Sequence, residues 1–403
     1  MRPVYVYDAI RTPRARAKES GGLHDLRPHD LLKCLYRSLE ERTGLDPAWV
    51  GDVLLGCVTQ HGEQAGNIAK TSTLYAGWPD SIGGLTVNRF CSSSIDAISL
   101  GALKIAAGQE QAVVAGGVEM MSRVPMLADK AAAFIDPRFA AECRMLMMGS
   151  GADLIASLHG VTRQQADAVA LQSQQRAETA RREGYFTSIV PIENPVKGIT
   201  VAEDECIRAG TTLEGLAAMP PAFADIGSGG VDALQLARYP QLARVEHIHT
   251  AGNSPAMADA AALLLLGDEA LGERLGARPR ARIVAAATAS DDPLQVLSGC
   301  VAATRKLMAE QGLVAADVDL FELHEAFAAT VVKAREELAI GDDRLNVNGG
   351  VIALGHPMGA TGAIMAGVLL DELERRGLGL GIVAASGAAG AGSALLVERV
   401  ASQ

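Results

Sequence analysis

Four stretches of this chain return, in the same order, roughly 260 to 280 residues further on, which marks a duplicated unit. VYVYDAIRT at the start is echoed by RIVAAATAS from Arg282, and GLDPAWVGDVLLG from Gly44 by GLVAADVDLFEL from Gly312. LTVN (85–88) recurs as LNVN (345–348), and AVVAGG from Ala112 as GIVAAS from Gly381. Each copy alternates short apolar runs, of the kind parallel strands carry, with small-residue turns and stretches of helical spacing. A repeated α/β unit with matched order packs best as two similar halves. The first half spans 1–119 and 250–279, and the second spans 280–403. Residues 120–249 break the rhythm: methionine becomes dense (Met120, Met121, Met126, Met145, Met147, Met148), Thr162–Glu183 reads as a polar helix, and Asp204–Tyr239 reads as loops. This block is expected to be an inserted loop domain hung on the first half, its methionines serving as adaptable packing rather than as ligands.

Equivalent turns of a duplicated fold meet across its pseudo-two-fold axis, so the chemistry is sought there. After LTVN comes NRFCSSSIDAISLGALKIAAG, with Ile95, Ile98, Leu100, Leu103 and Ile105 at helical spacing. The helix is expected to begin at about Cys91, with Ser92, Ser93 and Ser94 supplying capping oxygens. A thiol at a helix N-terminus faces unsatisfied N–H groups, which favours the nucleophilic thiolate. The mirrored turn, NGGVIALGHPMGATGA, carries His356 between Gly355 and Pro357. A cysteine with an imidazole is the minimum for acyl transfer: the ring takes the thiol proton and then helps stabilise the oxyanion. His324 follows the strand DLFEL, at the carboxyl end where catalytic groups of α/β sheets gather. Glu325 beside it either orients a water or an imidazole, or caps the next helix. ASGAAGAGSALL (385–396) offers either bare N–H groups to a ligand or close sheet packing.

Other chemistries find no support. The net charge of −11, without a basic stripe, argues against nucleic acid. The six cysteines form no C-x-x-C pair, so neither a disulfide frame nor a metal site is expected, and a reducing, cytoplasmic setting fits. There is no Walker A or G-x-G-x-x-G motif, no signal segment and no apolar run of membrane-spanning length.

With NRFCSSS, AGGVEMMSRVPM (115–126), MGSGAD (148–153), TAGNSPAMADAAALLL (250–265), HEAF (324–327) and NGGVIALGHPMGATG (348–362), the whole chain resembles a thiolase of the bacterial degradative acetyl-CoA acyltransferase kind. The resemblance implies a duplicated βαβαβαββ fold in five layers with an inserted loop domain. It implies cleavage of a 3-oxoacyl-CoA by coenzyme A through an S-acyl-cysteine. Cys91 would be the nucleophile, and His356 would activate it and line an oxyanion hole. The Cys91 N–H and the C-terminal turn at Gly387 and Ala388 would form a second hole. Met148, Ser254 and Phe327 would line the pantetheine and acyl path. Coenzyme A enters as substrate, with no tightly bound cofactor, and a homodimer or homotetramer is implied. Three positions depart from the family pattern. His324 stands where asparagine is usual, Pro255 (beside Ser254) where serine is, and Ser386 where a second acid/base cysteine is. Ser386 would at most relay a proton or hydrogen-bond. These departures leave two further readings: a Claisen-type condensing enzyme with a Cys–His–His set, or a subunit needing a small OB-fold or zinc-ribbon partner.

Overall fold

The structure, a computed structural model, describes residues 2–401. The first half runs β1 (Val4–Arg11), α1 (Pro28–Thr43), β2 (Asp52–Gly56), α2 (Ile68–Ala76), β3 (Leu85–Val87), α3 (Ser93–Ala106) and β4 (Ala112–Met120), and closes with β5 (Ala258–Gly267). Between β4 and β5 lie α4 (Met148–His159), α5 (Arg163–Arg182) and a hairpin of Ile192–Asn194 with Ile199–Val201. The second half runs β6 (Ala281–Ser290), α6 (Gly299–Glu310), β7 (Leu320–Leu323), α7 (Ala328–Leu338), α8 (Thr361–Arg376), β8 (Leu380–Ser386) and β9 (Ala391–Arg399). No helix among the described residues is long and apolar enough to cross a membrane.

The strands hydrogen-bond in the order β7-β8-β9-β6-β1-β5-β4-β2-β3, and the short strand Ala15–Arg16 pairs with β5. Read outward from the centre, β1, β5, β4, β2 on one side mirror β6, β9, β8, β7 on the other. The halves join where Val4–Val6 pair antiparallel with Ala281–Ile283. One member of the repeat falls short. LNVN, expected to match the edge strand β3, makes only a single bridge, Leu345 to Phe321. Asn346 there adopts a left-handed φ of 47° and turns its side chain back on Leu323, accepting from its N–H and donating to its carbonyl. A residue so turned cannot continue a strand.

Two helices with apolar residues on most faces must be enclosed, and they form the middle layer. Every residue of α8 from Thr361 to Leu373 is buried. Its Ile364, Leu369 and Leu373 share a core with Ile95, Ile98 and Ile105 of α3 and with strand residues of both halves. Each such side chain contributes about 1.5–3 kcal/mol on burial. α1 and α2 cover the outer face of the first half through Leu31, Leu35, Leu39 and Ile68. α6 and α7 cover that of the second through Val301, Leu307, Ala334 and Leu338. The result is helices, sheet, helices, sheet, helices.

The inserted block corrects one expectation, the reading of 204–239 as loops. It leaves the first half after β4, yet Ile155, Ala156, Val169 and Ala170 of α4 and α5 pack into the core of the second half. The stretch read as loops holds short helices, Leu213–Ala217 and Asp232–Arg238, the latter running on from a kinked turn at Gly227–Val231.

Candidate active site

β3 delivers the chain to Cys91 through a tight turn. Asn88 Oδ1 accepts the Phe90 N–H at 2.8 Å, and Phe90 takes a left-handed φ of 50°. The helix starts at Ser93, two residues later than the thiol, and the serines do not cap it in the expected way. Ser92 Oγ donates to Ala385 O of β8 at 2.7 Å, and Ser94 Oγ accepts from Ala363 N of α8 at 2.9 Å. Only Ser93 works locally, between Arg89 and Phe90. The triple serine therefore ties the turn that carries Cys91 to the other half.

The mirrored turn brings His356 against it. Gly355, with φ 95°, releases the chain from the helical turn Val351–Leu354, and His356 N–H donates to Ala256 O at 2.8 Å. His356 Nε2 lies 3.0 Å from Cys91 Sγ, and its Nδ1 lies 2.8 Å from Thr361 Oγ1. With Nδ1 protonated toward Thr361, the Nε2 lone pair faces the thiol. Each turn also lies so close to a strand of the first half that a side chain would not fit there. A Cβ on Gly117 of β4 would sit 2.4 Å from Gly359 O, and one on Gly56 of β2 would sit 2.5 Å from Ser94 N.

His324 extends the β7–β8 ladder by one bond, its N–H donating to Ala384 O at 2.9 Å. Its ring stands 4.5 Å, centroid to centroid, from that of His356. It is 3 % exposed, and neither ring nitrogen has a hydrogen-bond partner among the described residues. Burial lowers its pKa to about 4 and holds His356 well below the usual histidine value, so both rings are neutral at pH 7. The thiol is displaced the other way. Burial, assisted by the Glu119 carboxylate, pushes Cys91 up to about 12. The expected helix-stabilised thiolate is thus corrected to a neutral thiol hydrogen-bonded to a neutral imidazole.

Cys91, His356, His324, Met148, Phe327 and Ala388 all border one cavity of about 290 Å³. Phe327 caps α7, its ring edge-on to His249 and Phe223. Ser254, Gly387 and Ser386 do not border it. Ser254 is buried with an unpartnered hydroxyl, its neighbour Pro255 taking the place on the wall. Gly387 donates its N–H to Ala391 O and packs against Phe90. Ser386, expected at most to relay a proton or to hydrogen-bond, does the second: it donates its hydroxyl to Leu297 O and accepts from Cys300 N, both at 2.9 Å. With its donor bound to backbone, that hydroxyl is a structural pin. Glu325 neither caps the helix that follows it nor meets an imidazole: it accepts from Ser173 Oγ, from Asn346 Nδ2 and from Ile352 N at the start of the helical turn Val351–Leu354. The methionine reading is extended: Met120 and Met121 are buried and Met145 and Met148 pack against a core cluster, but Met121, Met126, Met145 and Met148 also line the cavity.

Three supporting residues escaped the sequence reading. Glu119, the only acid in the apolar run of β4, is fully buried. It accepts from Val58 N (2.9 Å), Thr59 N (3.0 Å), Gln64 Nε2 (2.8 Å) and Gly359 N (3.0 Å), binding both halves beside the reactive pair. An isolated acid ending an apolar strand was the available signal. Thr361, five residues after His356, orients the ring. Arg14, fully buried beyond β1, donates Nη1 to Gly355 O at 3.3 Å and its backbone N–H to Asp204.

A cysteine and an imidazole in contact, in an apolar cavity at the junction of two repeated α/β halves, define a site for acyl transfer between thiols. The comparisons with known proteins agree. Residues 4–270 match the family "Thiolase, N-terminal domain" and residues 277–399 match "Thiolase, C-terminal domain". The chain is 38 % identical to a 3-ketoacyl-CoA thiolase of Aliivibrio fischeri, over 99 % of this chain and 100 % of the relative. It is 37 % identical to the 3-oxoadipyl-CoA/3-oxo-5,6-dehydrosuberyl-CoA thiolase of Escherichia coli, over the same shares. The crystal structure of the Bacillus anthracis acetyl-CoA acetyltransferase superposes with a TM-score of 0.86 at 33 % identity, covering 99 % of both chains. The chain belongs to the thiolase family and is an acyltransferase acting on coenzyme A thioesters.

Proposed function

We propose that this thiolase cleaves a 3-oxoacyl-CoA with coenzyme A, using Cys91 as nucleophile and His356 and His324 as proton carriers. The observation that carries the reading is the 3.0 Å approach of His356 Nε2 to Cys91 Sγ at the cavity wall. Because the thiol is neutral at rest, proton transfer to Nε2 accompanies attack of sulfur on the C3 carbonyl. The C2–C3 bond then breaks, leaving the acyl group on Cys91 and an acetyl-CoA carbanion at C2. The proton that left the thiol ends on that carbon. His324, ring to ring with His356 on the same cavity wall and with both ring nitrogens unpartnered among the described residues, is the second carrier. In the second half, the thiol of coenzyme A gives up its proton, attacks the S-acyl-cysteine and returns Cys91 to the thiol. The N–H groups of Cys91 and Ala388, both at the cavity wall, are proposed to receive the thioester oxygen, the Gly387 N–H being already given to Ala391 O.

Two copies of the chain are proposed to pair along β3. It ends the sheet, and Leu85 on it, with Leu100 and Leu103 of α3, is exposed. A cytoplasmic setting goes with the free cysteines.

The test is intact-mass measurement after incubation with acetyl-CoA and, separately, acetoacetyl-CoA, followed by coenzyme A. An acyl adduct, absent from Cys91→Ala and removed by coenzyme A, is expected. Unchanged turnover by Cys91→Ala would sink the proposal.

A further inference from the structure

We infer that the acyl end of this cavity takes an uncharged, apolar chain and rejects a chain of the same length that ends in a carboxylate; this rests on the thiolase reading proposed above. Six of the chain's 12 methionines, Met121, Met126, Met145, Met148, Met257 and Met358, border the one cavity that holds the reactive pair. Leu127 and Phe134 extend the same wall. Thioether side chains are unbranched and polarisable, so they mould around aliphatic or aromatic groups of differing shape.

The wall offers a carboxylate almost nothing. None of the described residues bordering the cavity is a lysine or an arginine. The carboxylate of Asp129 is the only formal charge there and repels an anion. Both imidazoles are neutral at working pH and belong to the reacting centre. Of the uncharged polar groups, the Asn88 amide gives one N–H to Val58 O and its oxygen to Phe90 N–H, which leaves its second N–H and the Thr59 hydroxyl. Two neutral donors cannot replace the hydration of an ionised carboxyl, and no ion pair is available to offset the loss. An apolar tail, in contrast, gains by leaving water.

A matched pair tests this directly: 3-oxohexanoyl-CoA and 3-oxoadipyl-CoA, equal in chain length and differing by a terminal carboxylate. The expected kcat/KM for thiolysis favours the uncharged substrate by at least about 100-fold. Equal rates, or a preference for the diacid, would overturn the inference while leaving the transferase reading intact. Failure of both substrates, together with no acyl adduct from acetyl-CoA, would overturn both readings. Asp129→Lys supplies an exposed cation at the wall without disturbing the core. It should narrow the ratio several-fold by improving the diacid, and an unchanged ratio would refute the charge argument.

Discussion

Replacing the buried carboxylate of Glu119 by an amide, Glu119→Gln, changes hydrogen-bonding capacity at constant shape. In the native protein Oε2 accepts from Val58 N and Gly359 N, while Oε1 accepts from Thr59 N and Gln64 Nε2. An amide has one oxygen and one NH2, so whichever way it is turned, two native donors face another donor. Each donor left buried and unpaired costs about 1–3 kcal/mol, giving about 2–6 kcal/mol in all. That is a large share of a typical folding stability of about 5–15 kcal/mol. The loss falls beside the chemistry, because Val58 and Thr59 border the cavity and Gly359 lies three residues beyond His356. The reactive pair should lose its fixed spacing as well. Denaturant titration with an unchanged slope should show a clearly lower midpoint. Acylation by acetyl-CoA, followed by intact mass under native conditions, should slow by at least about 10-fold, the equivalent of one such bond. A variant with both the wild-type midpoint and the wild-type acylation rate would refute the view that Glu119 clamps the two halves around the site.

Other outcomes follow from the same geometry. Thr361→Val removes the partner of His356 Nδ1 and should slow acylation about 10-fold while the protein stays folded, with Thr361→Ser restoring most of the rate; no loss in the valine variant would deny the ring-orienting role. Both histidines are lowered from 6.5, His324 to about 4, so the base stays neutral as pH falls through 6.5. The acid limb of the acylation rate should accordingly lie well below pH 6.5, and a fall centred on 6.5 would contradict the burial argument. Ser386→Ala takes a hydroxyl from between Leu297 O and Cys300 N and should lower stability by about 1–3 kcal/mol, with acylation within a few-fold of wild type; a rate loss in a fully stable protein would return Ser386 to the chemistry.

Some of this was legible in the sequence because it depends on local pattern. Apolar runs separated by small-residue turns set which segments become strands, and their repetition set the mirrored strand order. Placing Cys91 and His356 on equivalent turns of that repeat was enough to bring them together, since equivalent turns meet at the axis. The sequence also marked 120–249 as foreign to the repeat. What these side chains touch was decided elsewhere. Ser92 and Ser94 read as helix caps, but their oxygens found Ala385 and Ala363, nearly 300 residues away in the chain. Ser386 read as a proton relay or a hydrogen-bonding group until the Leu297–Cys300 turn closed over its hydroxyl. LNVN carried the pattern of a strand, yet Asn346 bonded back to Leu323 and ended it at one bridge. The shift of Cys91 from an expected thiolate to a neutral thiol has the same origin. The few N–H groups near it are local, whereas the layers of both halves that exclude water from it exist only once the chain has folded. Periodicity belongs to neighbours in sequence and survives translation into three dimensions. Hydrogen-bond partners and dielectric surroundings belong to neighbours in space, and only the tertiary structure assigns those.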